Sequence, residues 1–228
     1  MRIGAWRVKD MNMFDFAISR QHMVDGQIRT NDVTDLRIIS AFKSVERETF
    51  IPKAKQAVAY SDVHINVDGR CVMRPRDFSK LLQGLDIKPT DVALDIGCAR
   101  GYSTAILAQL CETVVALEES GEVVERATSQ LVAAEILNAA VVKGDLKAGA
   151  REHGPFDIIF VNGAVTNVPQ SWFDQLATGG RLAVILKDGP VGKAMIYTRS
   201  KDAIGKAIIC DANVPLLDGF ERVPVFQL

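Results

Sequence analysis

The sequence predicts an α/β protein, a doubly wound and mostly parallel sheet preceded by an N-terminal helical subdomain. Three observations carry that expectation. Short apolar runs at 92–94 and 113–117 flank a helix-like segment at 102–110, the pattern of a βαβ unit with buried parallel strands. Further apolar runs at 139–142, 156–161 and 181–186 are separated by helix-like stretches. At 228 residues, 48% hydrophobic and 24% charged, the chain has the length and composition for one such domain with a substantial core.

Before the sheet, apolar positions at Phe16, Ile18, Met23, Val24 and Ile28 suggest one helix, and Val33, Leu36, Ile39 and Phe42 a second. Thr34 is the expected cap of the second helix, and Pro52 closes the region. Residues 60–77 read as a long connection with a turn at Asp68-Gly69, and Arg70, Arg74 and Arg76 make it the most basic short stretch. A helix from Phe78 to Leu85 leads into the first strand. The division expected is 1–80, helical subdomain and active-site loop, and 81–228, the α/β domain, in one compact unit.

Beyond Glu118, Val123, Val124, Ala127, Leu131 and Ala134 lie at helical spacing. The strand at 139–142 ends in Lys143-Gly144-Asp145, and the strand at 156–161 ends in Asn162-Gly163-Ala164. Pro169 opens a helix that Gly179-Gly180 is expected to break before the strand at 181–186. Two runs near Met195–Thr198 and Ala207–Ala212, separated by charged turn residues, suggest antiparallel strands at the sheet edge.

Composition excludes several function classes. A net charge of −1 gives no general attraction to nucleic acid or to an anionic membrane. No apolar run approaches the roughly 20 residues of a membrane span. The opening MRIGAWRVKD lacks the apolar core of a secretory signal, and Met11 and Met13 are alternative starts. Cys71, Cys98, Cys111 and Cys210 form no CxxC pair, which suits reduced thiols in a cytoplasmic protein. His22, His64 and His153 are scattered without metal-ligand spacing, so no metal is expected.

The candidate site is the turn Asp95-Ile96-Gly97-Cys98-Ala99-Arg100-Gly101, followed 17 positions later by Glu118 at the end of the next strand. Glycines let a backbone approach a nucleoside, a helix N-terminus offers free N–H groups, and a later carboxylate accepts from ribose hydroxyls. The spacing is G-x-x-x-G rather than the G-x-G-x-x-G of a dinucleotide site. Asp95 before the turn would repel a phosphate and attract a cation. S-adenosylmethionine (AdoMet), with a sulfonium, an ammonium and no phosphate, fits better than NAD. Asp145 is placed to accept from an adenine amino group.

With these residues placed, the chain resembles the protein-L-isoaspartate O-methyltransferase family over nearly its whole length. Arg20–Ile28 is similar to that family's first helix, Val45–Pro52 resembles its V-P-R-E-x-F-V-P segment, and Ala59-Tyr60-Ser61-Asp62 its A-Y-x-D. Leu94–Tyr102 resembles its E-I-G-T-G-S-G-Y loop. Phe156–Asn162, Gln175-Leu176 with Gly179-Gly180-Arg181, and Val214-Pro215-Leu216 follow in order. The resemblance implies a sheet of the class I AdoMet-dependent methyltransferase type and methyl transfer from AdoMet to a protein or peptide carboxylate. That acceptor is the isoaspartyl residue of damaged proteins, at the start of their repair, or a diverged one. It also implies that Asp95, Gly97 and Gly101 line the methionine part, Glu118 takes the ribose and Asp145 the adenine; Cys98 within the turn and Asn162, at a strand end where open α/β sheets place ligand contacts, are further cofactor-binding candidates.

The family's G-Q-T-I-S-x-P reads here Gly69-Arg70-Cys71-Val72-Met73-Arg74-Pro75. Cys71 and Met73 stand at the threonine and serine positions, which leaves the catalytic residues unassigned, and Arg70 and Arg74 become candidates for holding an acceptor carboxylate. The alternative is a catalytically inactive AdoMet-binding or protein-interaction module derived from this fold. The oligomeric state is open.

Overall fold

A computed structural model describes residues 15–221 of the 228, so the MRIGAWRVKD stretch and the starts at Met11 and Met13 lie outside the described residues. The first helix, α1 (Phe16–Met23), opens where the Asp15 carboxylate accepts from the Ile18 N–H, and it runs on as one π-helical turn, Val24–Ile28. The second, α2 (Leu36–Ser44), is capped by Asp35 and not by Thr34. The Asp35 carboxylate accepts from the Arg37 N–H at 2.8 Å, while the Thr34 N–H goes to Gln83. These helices bury Met23, Val24, Ile28, Ile38, Ile39 and Phe42.

The expected connection at 60–77 contains a β-hairpin, β1 (Ile65–Val67) paired with β2 (Arg70–Val72). Its two turn residues, Asp68 and Gly69, have φ of 52° and 80°, and a left-handed Asp-Gly pair matches the twist of flanking strands. Helix α3 (Pro75–Leu85) follows, with Pro75 at its first position, where a missing N–H loses no bond.

The main sheet has seven strands: β3 (Val92–Ile96), β4 (Thr113–Glu118), β5 (Ala139–Lys143), β6 (Phe156–Val165), β7 (Leu176–Leu186), β8 (Lys193–Arg199) and β9 (Ile204–Asp211). Their order is β5-β4-β3-β6-β7-β8-β9. The first five are parallel and the last two antiparallel, so the expected edge hairpin is present, with β9 at the edge and β8 one strand in. Helices α4 (Tyr102–Ala108), α5 (Gly121–Ala133) and α6 (Gln170–Gln175) make the connections. Gly179-Gly180 does not end α6: Leu176 already turns extended, and the glycines lie in the irregular start of β7.

Pleating sorts the strand residues onto two buried faces. Ala93, Ile158, Phe160, Ala183 and Ile185 join one cluster with Phe42, Phe78 and Tyr102, so residues on both sides of position 80 share it. Leu94, Ile96, Ile159, Val161 and Val184 join the other, with Trp172 and Phe220. Chain order reverses between β3 and β6, where β4 and β5 lie to one side and β6 returns to the other. Open α/β sheets bind ligands at the carboxyl ends of strands beside such a reversal. Among the described residues no helix is long and apolar enough to cross a membrane.

Candidate active site at the ends of β3, β4 and β6

The turn after β3 is held by its own backbone. The Gly97 N–H donates to the Leu117 carbonyl at 2.9 Å and the Gly101 N–H to that of Cys98 at 2.8 Å. Gly97, Ala99 and Gly101 have φ of 71°, 53° and 91°, so the turn needs left-handed backbone at alternate residues. A Cβ on Gly101 would also lie 3.1 Å from Leu131 of α5, which fixes how closely α4 and α5 approach.

Asp95 takes a position different from the one its sequence suggests. Residue parity along β3 puts it on the face of Ala93, toward α4, and it is fully buried. Its carboxylate accepts from the Ser103 and Thr104 hydroxyls at 2.7 and 2.6 Å and from the Asn162 amide at 2.6 Å. Burial pushes its carboxyl up to about 6, with those three donors opposing the shift. Asp95 therefore ties α4 and Asn162 together behind the turn. Asn162 also donates to the Ile96 carbonyl at 3.2 Å, tying β6 to β3.

Glu118 ends β4 almost fully buried. One carboxylate oxygen accepts from the Ala99 N–H at 2.8 Å, and the other from the Glu119 N–H at 3.3 Å. The Arg70 Nε reaches both oxygens, at 3.3 and 3.2 Å. The same guanidinium pairs with Glu119 at 2.9 Å and Asp218 at 3.4 Å. Burial raises the Glu118 carboxyl above its ordinary range, and Arg70 and the Ala99 N–H pull it back. Asp145 stands exposed beside this strand end, because the Gly144 N–H bonds the Glu118 carbonyl at 2.9 Å. Its carboxylate accepts from the Lys147 N–H at 2.8 Å.

The hairpin β1–β2 lies over these strand ends. Cys71 and Met73 are buried, and burial pushes the Cys71 thiol up to about 12, so it is not a thiolate nucleophile at neutral pH. Cys98, in the turn, is buried and raised well above its ordinary value for the same reason. Arg74 pairs at 2.8 Å with Asp77, itself fully buried. His64 accepts from the Arg74 N–H at 3.1 Å. Behind the loop, Arg47 is completely buried and donates to the carbonyls of Ala59 and Met73 at 2.7 and 2.8 Å, over the Tyr102 ring.

The sequence did not disclose Asp68 as a partner. It accepts from Arg100, the residue inside the glycine turn, at 2.8 and 3.3 Å, and from Arg126 of α5 at 3.0 Å. These residues are 32 and 58 positions away from it, so no local spacing marks the contact. Leu217 was missed as well: a Cβ on Gly97 would meet it at 3.4 Å, and one on Gly163 at 2.7 Å.

In kind, the donor set suits a cationic nucleoside: an open-backboned turn, a strand-end carboxylate, an exposed second carboxylate and an amide. Two cavities flank Asn162, of about 110 Å³ beside Arg70 and Leu217 and about 10 Å³ beside Met73 and Ala99. A cleft of about 340 Å³, lined by Ser44, Glu46, Gln130 and Ile136 among others, shares no residue with the turn. Among the described residues no cluster of His, Cys, Asp or Glu could hold a metal ion.

The chain matches the family model described as protein-L-isoaspartate(D-aspartate) O-methyltransferase over residues 18–217. The protein-L-isoaspartate O-methyltransferase of Methanoculleus marisnigri is 34% identical over 174 residues, 76% of this chain and 77% of that relative. The one from Roseiflexus sp. (strain RS-1) is 32% identical over 221 residues, 92% of this chain and 99% of its own length. A solved protein-L-isoaspartate O-methyltransferase superposes with a TM-score of 0.78 at 25% identity, covering 88% of this chain and 66% of that one. A Plasmodium falciparum structure, described as such an enzyme in complex with S-adenosyl-L-homocysteine, shares the fold with a TM-score of 0.74 at 19% identity, covering 87% and 98%.

Proposed function

The chain belongs to the protein-L-isoaspartate O-methyltransferase family, and from that membership we infer that it methylates the carboxylate of isoaspartyl residues in proteins or peptides. It is an AdoMet-dependent methyltransferase, and AdoMet is its cofactor. The observation that carries the acceptor reading is the convergence of the 69–75 segment, with Cys71 and Met73, onto the ends of β3, β4 and β6.

AdoMet supplies an electrophilic methyl: an O–CH₃ bond forms as the sulfonium CH₃–S bond breaks, leaving an ester and a thioether. An acceptor carboxylate with a pKa near 4 is already ionised at neutral pH, so the protein has no proton to move. Its task is to align two groups, which alone supplies much of a rate enhancement. Glu118 would accept from the ribose hydroxyls of bound AdoMet and Asp145 from its adenine amino group, while Gly97, Cys98 and Gly101, with Asn162, would flank the methionine part. Asp95 serves by fixing Asn162 and the first turn of α4. Arg70, which borders the cavity beside Asn162, and Arg74, paired with Asp77 at the start of α3, are the cations from which an acceptor carboxylate gains orientation. The four free cysteines, three of them buried, suit a reducing cytoplasm.

Titration calorimetry with S-adenosylhomocysteine tests the cofactor half of this reading. Glu118→Ala is expected to weaken binding at least about tenfold, the scale of one charge-assisted hydrogen bond. Equal affinity in wild type and variant would remove Glu118 from the site.

A further inference from the structure

Both oxygens of Glu118 are already engaged, on a carboxylate almost fully buried. A carboxylate offers about four acceptor positions, and here three N–H groups hold its two oxygens: the Ala99 N–H, the Glu119 N–H and the single Arg70 Nε–H, which is shared between both. A pair of ribose hydroxyls cannot both be added to that buried set without removing a donor, and the two backbone N–H groups are fixed by the turn and the strand. Arg70 is the donor that can leave. Its stem also covers the glycine turn, since a Cβ on Gly97 would lie 3.9 Å from the Arg70 Cδ. The cavities there, about 110 and 10 Å³, fall well short of the roughly 300 Å³ at which small-molecule sites begin.

The same hairpin is fastened at its tip. Asp68 is gripped by Arg100 and Arg126, and Arg100 belongs to the turn that the hairpin covers. Arg70 and Arg100 are the two positions where the family pattern quoted above has an uncharged glutamine and serine. Thus both departures introduce cations that bind the hairpin to the site. When Arg70 lets go of Glu118 its charge is not stranded: Glu119 and Asp218 have side chains 44% and 78% exposed, free to move with it.

We propose that Arg70 is a cofactor-exchange residue: AdoMet gains Glu118 only as the Arg70 guanidinium gives it up, with the Asp68 clamp setting how readily the hairpin lifts. The proposal rests on Glu118 being the ribose acceptor. Calorimetry with AdoMet and with unreactive S-adenosylhomocysteine tests it on the whole protein. Arg70→Gln should bind both at least about tenfold more tightly than wild type, and Asp68→Asn roughly threefold more tightly. Wild-type affinity should rise about twofold between low and high salt, as screening loosens the partly exposed Arg70–Asp218 and Arg126–Asp68 pairs that hold the hairpin down, while Arg70→Gln rises less. Hydrogen exchange in 65–72 should speed up when ligand binds the wild type.

Arg70→Gln binding no more tightly than wild type, with Glu118→Ala still weakening the Arg70→Gln protein, overturns the exchange role and leaves Glu118 as ribose acceptor. Glu118→Ala without effect in the Arg70→Gln background overturns both. The wild-type salt series and exchange data need no variant, so a poorly folded mutant does not protect the proposal: a wild-type affinity that falls with salt, beside an unchanged hairpin, contradicts it.

Discussion

Asp95 shows what a single residue contributes and how it can be measured. It sits fully buried among three neutral donors with no cation in its hydrogen-bond set. Its folded pKa of about 6 lies above the ordinary 3.8, so the folded state favours the neutral form. The stability this lends is complete below the unfolded value near 4 and is lost as pH rises to and through 6. A shift of about two units corresponds to a loss on the order of 3 kcal/mol by neutral pH. Asp95→Asn keeps the shape without the charge, so its stability relative to wild type should improve by that order between pH 4 and 8. Urea unfolding at the two pH values checks this, and a pH-independent difference would show that Asp95 does not titrate with folding. That Asp95, Gly97, Gly101 and Glu118 gather around one turn at the ends of β3 and β4 was legible in the sequence, since strand, turn and spacing are local. The face that Asp95 takes was legible only in part: parity groups it with Ala93, but which face holds α4 depends on the crossover.

At the scale of elements, the hairpin β1–β2 is where local reading was weakest. Its strands are three residues each, too short for alternation to stand out, and only the Asp68-Gly69 turn was visible. Arg47 ties the flanks of this hairpin together by bridging the carbonyls of Ala59 and Met73. A planar fork can serve both acceptors at once, whereas a lysine ammonium on a flexible stem cannot hold the same geometry. Arg47→Lys should cost about 2–3 kcal/mol, since one buried carbonyl loses its partner. The urea midpoint should fall at unchanged m-value, with faster hydrogen exchange across 59–73. A loss under about 0.5 kcal/mol, the range of an ordinary surface change, would show that the loop is held by other contacts. Besides the cap of α2 and the start of β7, the elements lie near their expected places, because α5 and the strands at 92–96, 113–118 and 139–143 are long enough to carry a period.

Across the whole molecule, the parallel sheet was legible because strands buried on both faces are unbroken apolar runs. The reversal beside β3 then follows from ordinary crossovers and gathers Gly97, Glu118 and Asn162 at one edge. The ion pairs that close that edge were not legible. Arg70 to Glu118 spans 48 positions and Arg100 to Asp68 spans 32, and charges at such separations carry no periodic signature. Cys71 and Met73 at the acceptor loop set the chemistry most in need of a direct test. Losing a hydroxyl that positions a carboxylate slows transfer by up to about a hundredfold, yet leaves alignment in place. The decisive measurement is transfer of labelled methyl from AdoMet to an isoaspartyl peptide, beside the same peptide with ordinary aspartate. Wild type should form base-labile ester on the isoaspartyl peptide alone, slowly, and Cys71→Thr with Met73→Ser should raise that rate by as much as about a hundredfold. Ester on neither peptide from a wild type that binds AdoMet, with no gain in the double variant, would contradict an isoaspartyl acceptor.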